Sequence, residues 1–216
     1  MKTKGLFDVI SPIMIGPSSS HTAGAIRLGL MARTIYNAPI KKVHFTLYNS
    51  FAQTGKGHGT DKGLLAGIMG CYVDDVRTKN IFAITDIDYK YSFAEDLSRH
   101  PNSVDIKIND DMTISGCSIG AGEIRITEIN GFSVNLAGQY HTILLMYKDK
   151  PGMISTVSKF IQDRNINIAS LHCDRNEKGG VASMYLALDA EPQEEIVDDI
   201  KNISDVYFVT KVRKLD

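Results

Sequence analysis

Cysteine is scarce in this sequence. Its three residues, Cys71, Cys117 and Cys173 in a chain of 216, are odd in number and widely separated. That pattern excludes a disulfide framework and fits a reduced compartment, so a cytoplasmic location is expected. It also lacks the close ligand spacing of a zinc or iron–sulfur centre. No metal is therefore expected on this chain's own residues, and any such cofactor would have to be held mainly by another chain. An excess of charge of one sign is missing too: 24 Lys and Arg are interleaved with 25 Asp and Glu, for a net charge of −1. No nucleic acid or anionic membrane is expected as a partner. No apolar run approaches the roughly 20 residues that span a bilayer. Met1–Phe7 carries two lysines but no apolar stretch behind them, so no secretory signal is expected. Internal repeats and low-complexity segments are absent.

What is present is an ordinary globular composition, 43% hydrophobic and 23% charged, enough for a core in one large domain or two small ones. The most informative stretch is Gly16-Pro17-Ser18-Ser19-Ser20-His21-Thr22-Ala23-Gly24. Three hydroxyls and a histidine stand between a Gly-Pro breaker and a helical stripe of His21, Ala25, Leu28, Ala32 and Ile35, which predicts a helix over 18–36 ended by Asn37-Ala38-Pro39. Free N–H groups at a helix start favour an anion, the hydroxyls add donors, and the imidazole titrates near neutrality. The plainer reading is a serine-capped helix, a cap being worth about 1 kcal/mol with no function attached.

Val43–Tyr48 alternates as a half-buried strand. Thr54-Gly55-Lys56-Gly57-His58-Gly59-Thr60-Asp61 reads as a glycine-rich loop, followed by a helix carrying Leu64, Leu65, Ile68 and Met69. It is not a phosphate-binding P-loop, because its lysine is misplaced for one. Residues 80–136 read mostly as strands: 81–84, 104–108, 112–115, 123–129 and 132–136. Asn109-Asp110-Asp111 and Asn130-Gly131 supply hairpin turns. Gly116 and Gly120-Ala121-Gly122 mark a loop. Near Ala137-Gly138-Gln139 the pattern restarts as strand 143–147, helix 153–164, strand 166–173, strand 181–189, helix 192–203 and strand 206–212. That is the ferredoxin-like βαββαβ order. The fold class expected is α+β, with domains at 1–137 and 141–216.

The C-terminal unit resembles an ACT domain, on Ile143–Tyr147, Asp149-Lys150-Pro151-Gly152-Met153-Ile154 and Asn165-Ile166-Asn167-Ile168. The resemblance implies an amino-acid effector at Asp149, Pro151 and Gly152, with Asn167 receiving its amino group, or else a module that only pairs chains. The N-terminal half resembles the beta part of iron–sulfur-dependent L-serine dehydratase (L-serine ammonia-lyase). Phe7-Asp8-Val9-Ile10 and the two histidine motifs in that order carry this likeness. It is also related to the allosteric substrate-binding domain of some phosphoglycerate dehydrogenases.

That family removes ammonia from L-serine to give pyruvate. It uses a [4Fe–4S] cluster whose cysteines belong to the alpha part, which this chain lacks, so the resemblance implies a separate beta subunit with an alpha-subunit partner. It further implies His21 and His58 lining the site, one of them a base or proton shuttle, with the assignment between them open. Ser18, Ser19, Ser20 and Thr22 would grip L-serine, and Lys56 and Asp61 would supply complementary charge. A homodimer through the ACT or N-terminal domains is expected. The rival class is a non-catalytic, amino-acid-sensing regulatory subunit of a serine-pathway enzyme, which would need the ACT turn but not both histidines.

Overall fold

The computed structural model describes residues 14–215, except for the side chain of Lys56. It divides into two compact units. The first runs through Gly131 and includes Asn135–Ala137; the second holds Phe132–Val134 and everything from Gly138 onward.

The first unit is organised by β1 (Lys42–Tyr48), which buries Val43, Phe45 and Leu47 and leaves the alternate residues partly open, as a pleated strand with one covered face must. Its neighbours are β2 (Asp88–Ala94), parallel, and β3 (Ser103–Ile108), antiparallel. With β4 (Met112–Gly120), β5 (Glu123–Ile129) and β6 (Phe132–Leu136) the sheet order is β2-β1-β3-β4-β5-β6. Phe45 stands opposite Tyr91 on β2 and Ile106 on β3, which sets the register across the centre. The β3–β4 turn holds Asn109 and Asp110 at positive φ, and the β5–β6 turn does the same with Asn130 and Gly131, the chemistry both turns were expected to use.

A parallel pair needs a crossover. Here α2 (Asn49–His58), α3 (Thr60–Ile68), a 3-10 turn (Val76–Asn80) and the short α4 (Ile81–Ile84) carry the chain from β1 to β2. Of these, α3 packs on α1 (Gly24–Tyr36), whose buried side holds Ile26, Leu28, Met31 and Ile35 and whose end is set by Asn37 in the left-handed region. The crossing of α1 and α3 is backbone against backbone. A Cβ on Gly67 would stand 2.1 Å from the Ile26 carbonyl oxygen, and one on Gly29 would stand 2.3 Å from that of Leu64.

Four expectations are corrected. The supposed loop 54–61 is helical up to His58. The break is confined to Gly59, at φ 72, and α3 starts at Thr60. Gly55 is there for space, since its Cβ would meet a Leu47 methyl at 3.3 Å. The apolar run 81–84 is a helical turn with Ile81 buried and Ala83 and Ile84 exposed, showing no strand alternation. The strand that β1 recruits is instead 88–94. Gly116 lies inside β4, where the register shifts and a Cβ would strike the Arg125 carbonyl oxygen at 2.8 Å. Finally, the segment before α1 is not α-helical: residues 19–23 form a π turn.

The second unit is the expected βαββαβ: β7 (His141–Lys148), α5 (Met153–Gln162), β8 (Ile168–Arg175), β9 (Val181–Leu188), α6 (Glu194–Lys201) and β10 (Val206–Val212). The sheet order is β10-β7-β9-β8, antiparallel throughout. Ile143 and Leu145 on β7 and Met184 and Leu186 on β9 meet Val157, Ile161, Ile196 and Ile200 of the two helices in one core. No helix among the described residues is long and apolar enough to cross a membrane.

The α1–α3 crossing yields a paired prediction. Gly67→Ala should destabilise the full chain by about 3 kcal/mol, because a methyl group has no room at the contact. Gly57→Ala, in helix α2 with nothing within 4 Å of its Cβ, should stabilise by up to about 1 kcal/mol. Urea denaturation of both variants measures the difference; equal effects would refute the contact.

Candidate active site

The π turn Ser19–Ala23 is the wide entrance to α1. Ser18, in extended conformation, caps it: its Oγ accepts from the His21 N–H at 3.1 Å. The Ser18 carbonyl accepts from both Thr22 N (2.8 Å) and Ala23 N (3.3 Å), the second being the five-residue bond that widens the turn. The Thr22 hydroxyl donates to the His58 carbonyl at 2.8 Å. One hydrogen bond thus ties the first histidine motif to the last residue of α2.

The two motif histidines are brought together. Their ring centroids lie 5.2 Å apart with a tilt of 41°, and Phe51 stands 5.4 Å from the His21 ring on another side. His58 is exposed, while His21 is partly covered. Both ring nitrogens of His21 have hydroxyl neighbours: Ser18 Oγ at 3.4 Å from Nδ1 and Ser50 Oγ at 3.2 Å from Nε2. Burial, and then the neighbouring His58, hold the His21 ring below its ordinary 6.5. At neutral pH it is an uncharged imidazole with a basic lone pair.

The other residues expected here divide. Ser19 and Ser20 lie partly exposed in the π turn. Thr22 does not line an opening: it is 2% exposed and its hydroxyl is engaged by His58, so it ties loops and does not grip a ligand. Asp61 lies in the first turn of α3, where its Oδ1 accepts from the Lys62 N–H at 2.8 Å and its carbonyl from the Tyr91 hydroxyl at 2.7 Å. Lys56 sits in α2, and its side chain lies outside the described residues. Ser50 was missed. Its signal is positional: it follows the carboxyl end of β1, where α/β sheets present ligand-binding groups. Asn49, at φ 51, fixes that corner by donating to the Asp96 carbonyl (2.8 Å) and accepting from the Asp96 N–H (2.9 Å).

A family model described as serine dehydratase beta chain matches residues 5–115. The chain is 36% identical over 98% of its length to the probable L-serine dehydratase, beta chain, of Bacillus subtilis (strain 168), covering 99% of that protein. It is 37% identical over 91% of its length to the L-serine dehydratase, beta chain, of Peptoniphilus asaccharolyticus, covering 92% of it. The chain belongs to the serine dehydratase beta chain family. A second model, AHAS small subunit-like ACT domain, matches residues 143–208. The D-3-phosphoglycerate dehydrogenase of Bacillus subtilis (strain 168) is 26% identical over 85% of this chain and 36% of its own length. The fold is therefore the expected α+β pairing of a dehydrogenase-like N-terminal region with a C-terminal ACT domain.

In this beta-chain family member the ACT turn opens onto a groove of 660 Å³, lined by Tyr147, Asp149, Gly152, Cys173 and Arg175 among others. Gly152, at φ 93, precedes α5 without a side-chain cap, leaving the first helical N–H groups without partners inside the helix. Pro151 lines the same groove. The Asp149 carboxylate accepts from the Gly179 N–H and the Arg175 guanidinium, both at 3.0 Å, and these hold it below the usual carboxylate range. Asn167 does not join this turn. It precedes β8 and donates to Asp189 Oδ2 at 2.7 Å, whereas β8 reaches the groove with Arg175, roughly 25 Å along the strand.

The described residues do not fit an iron–sulfur cluster. Among the described residues no three His, Cys, Asp or Glu gather where they could hold a metal ion. Cys71 and Cys117 are buried and Cys173 is exposed. Burial pushes the Cys71 and Cys117 thiols up, away from the thiolate that ligation requires.

The titration of His21 is a direct check. Its folded value is depressed, so the stability it contributes is fully present above 6.5 and is lost as pH falls through the lower folded value. An NMR titration should place its midpoint below 6.5, and His58→Ala should move that midpoint upward without reaching 6.5, because burial is the larger cause. A wild-type midpoint at or above 6.5 would refute the assignment.

Proposed function

We propose that this chain is the beta subunit of an L-serine dehydratase, active only when an alpha subunit completes the site. The observation that carries the reading is the convergence of His21, His58, Ser18 and Ser50 from two separate sequence segments. Serine's α-hydrogen is a weak acid and its hydroxyl a poor leaving group, so a base must act while other groups assist the departing oxygen. The uncharged His21 imidazole is the proton acceptor. The Ser19 and Ser20 hydroxyls receive the substrate carboxylate, His58 stands beside the site, and Asp61 complements the substrate ammonium. Loss of water leaves aminoacrylate, which tautomerises to the imine and is hydrolysed to pyruvate and ammonia. The groups that assist the leaving hydroxyl, with the [4Fe–4S] cluster, are assigned to the alpha subunit, since no ligand set for a cluster gathers among the described residues.

In the reconstituted complex, His21→Ala should lower turnover of L-serine by roughly 10²–10⁴-fold with an unchanged circular dichroism spectrum. A near-normal rate would reduce His21 to a structural cap and favour the regulatory-subunit reading.

The ACT unit is proposed to sense an amino acid at the Asp149–Gly152 turn. The open helix start and the Arg175 guanidinium suit a carboxylate. L-Serine titrated into the full chain should release heat that Gly152→Val removes and His21→Ala spares. Absence of heat, or heat that follows His21 instead, would assign the unit to pairing of chains alone.

A further inference from the structure

We infer that Thr22 is the positioning residue for His58: its buried hydroxyl holds the His58 carbonyl and thereby sets the His58 imidazole against that of His21. The functional half of this inference rests on the reading of the two histidines as part of an L-serine dehydratase site; the positional half does not.

His58 needs holding from outside its own helix. It stands between two glycines at the exposed end of α2. Gly57 has nothing within 4 Å of where a Cβ would be, and Gly59 is in the left-handed region at φ 72, so the backbone on either side is loose. The last bond of α2 runs from the Gly59 N–H to the Gly55 carbonyl. At the start of α3, Gly63 donates to the Gly59 carbonyl and the Lys62 N–H goes to Asp61 Oδ1. The His58 carbonyl therefore falls between the two ladders, an orphan of the kind every helix end leaves. Thr22 Oγ1 donates to it at 2.8 Å.

Thr22 is a rigid anchor for that bond. Its N–H donates to the Ser18 carbonyl at 2.8 Å within the π turn, and the residue is buried. A Cβ on Gly16 would stand 2.4 Å from Thr22 Cγ2, and one on Gly59 would stand 3.6 Å from Thr22 Oγ1. A β-branched side chain wedged between two glycines has little rotamer freedom. Consecutive residues thus clasp His58 from two sides. His21 meets its ring, with centroids 5.2 Å apart, and Thr22 takes its backbone. The side chain follows the backbone, so loss of the carbonyl tether lets the His58 imidazole drift from His21.

The test reads the distance between the two rings in the full chain, as the nuclear Overhauser contact between ¹³C-labelled His21 and His58. The wild type should show the contact. Thr22→Val puts a methyl group against the carbonyl in place of the hydroxyl and should abolish it. Thr22→Ala, which adds no atom, carries the same expectation should the valine variant not fold. Thr22→Ser keeps the hydroxyl and should retain the contact. Because His58 helps to depress the His21 titration, the His21 midpoint should rise in Thr22→Val as far as in His58→Ala, and the two changes together should raise it no further. In the complex with the alpha subunit, Thr22→Val should lower kcat roughly 10–100-fold, and Thr22→Ser should recover most of it. A ring contact and midpoint unchanged in Thr22→Val and Thr22→Ala, or lost as fully in Thr22→Ser, overturns the inference. Separation of the rings as expected, with Thr22→Val and His58→Ala both turning over normally, supports the positioning and removes His58 from the proposed site.

Discussion

The site depends on one packing contact, the close crossing of α1 and α3. Where Gly29 and Gly67 meet the opposing backbone there is no room for a methyl group. Helices this close have little freedom to slide, because small lateral shifts produce clashes, not looser contacts. The same contact line continues at Gly63, whose Cβ would stand 2.8 Å from the Thr22 carbonyl oxygen. The start of α3 is thereby pressed against the π turn, and the bend at Gly59 aims the end of α2 at His21. Without this crossing, the two histidine motifs would have no reason to share a surface.

Around that contact the polar groups are arranged in a consistent order. The hydrogen bonds that bind the π turn to itself and to α2 come from backbone groups, from Ser18 and Thr22, and from His21 with Ser50. The groups left near the opening are the His58 ring and the hydroxyls of Ser19 and Ser20. Half-burying His21 beside a second histidine keeps it neutral without a carboxylate partner, unlike the common arrangement in which an acid orients and charges the imidazole. A neutral base with hydroxyl neighbours suits proton transfer from a weak carbon acid, where an imidazolium would be useless.

The second unit follows a different logic. Its core is aliphatic and closed, built from opposed β7 and β9 residues under two helices, and its chemistry is concentrated at one turn. There Asp149 is consumed by Gly179 and Arg175, so what the turn offers a ligand is N–H groups, not a free carboxylate. Asn167 lies at the far end of β8 within the same chain, and an amino group held at the Asp149 turn would have to find another acceptor.

Much of this was legible in the residues themselves. Alternation in β1, the turn chemistry at Asn109-Asp110 and Asn130-Gly131, the βαββαβ order and the two histidine motifs all depend on neighbours a few positions away, and local sequence determines local geometry. The misreadings share a cause. Of the glycines of 54–61 that looked like a loop, Gly59 alone breaks the helix, and Gly55 is there for Leu47, which lies outside the segment. The run 81–84 has β-type residues but sits where the crossover needs a helical turn. Thr22 looked like a ligand-binding hydroxyl until His58 came within reach of it. Ser50 has no motif at all: it matters because the carboxyl end of β1 delivers it to a ring 29 positions earlier in the chain. The sequence by itself determined the elements, their class and the candidate groups. Only the tertiary structure decided which of those groups meet, because distances between distant residues are set by how closely two helices can pack, and that is decided by space and not by pattern.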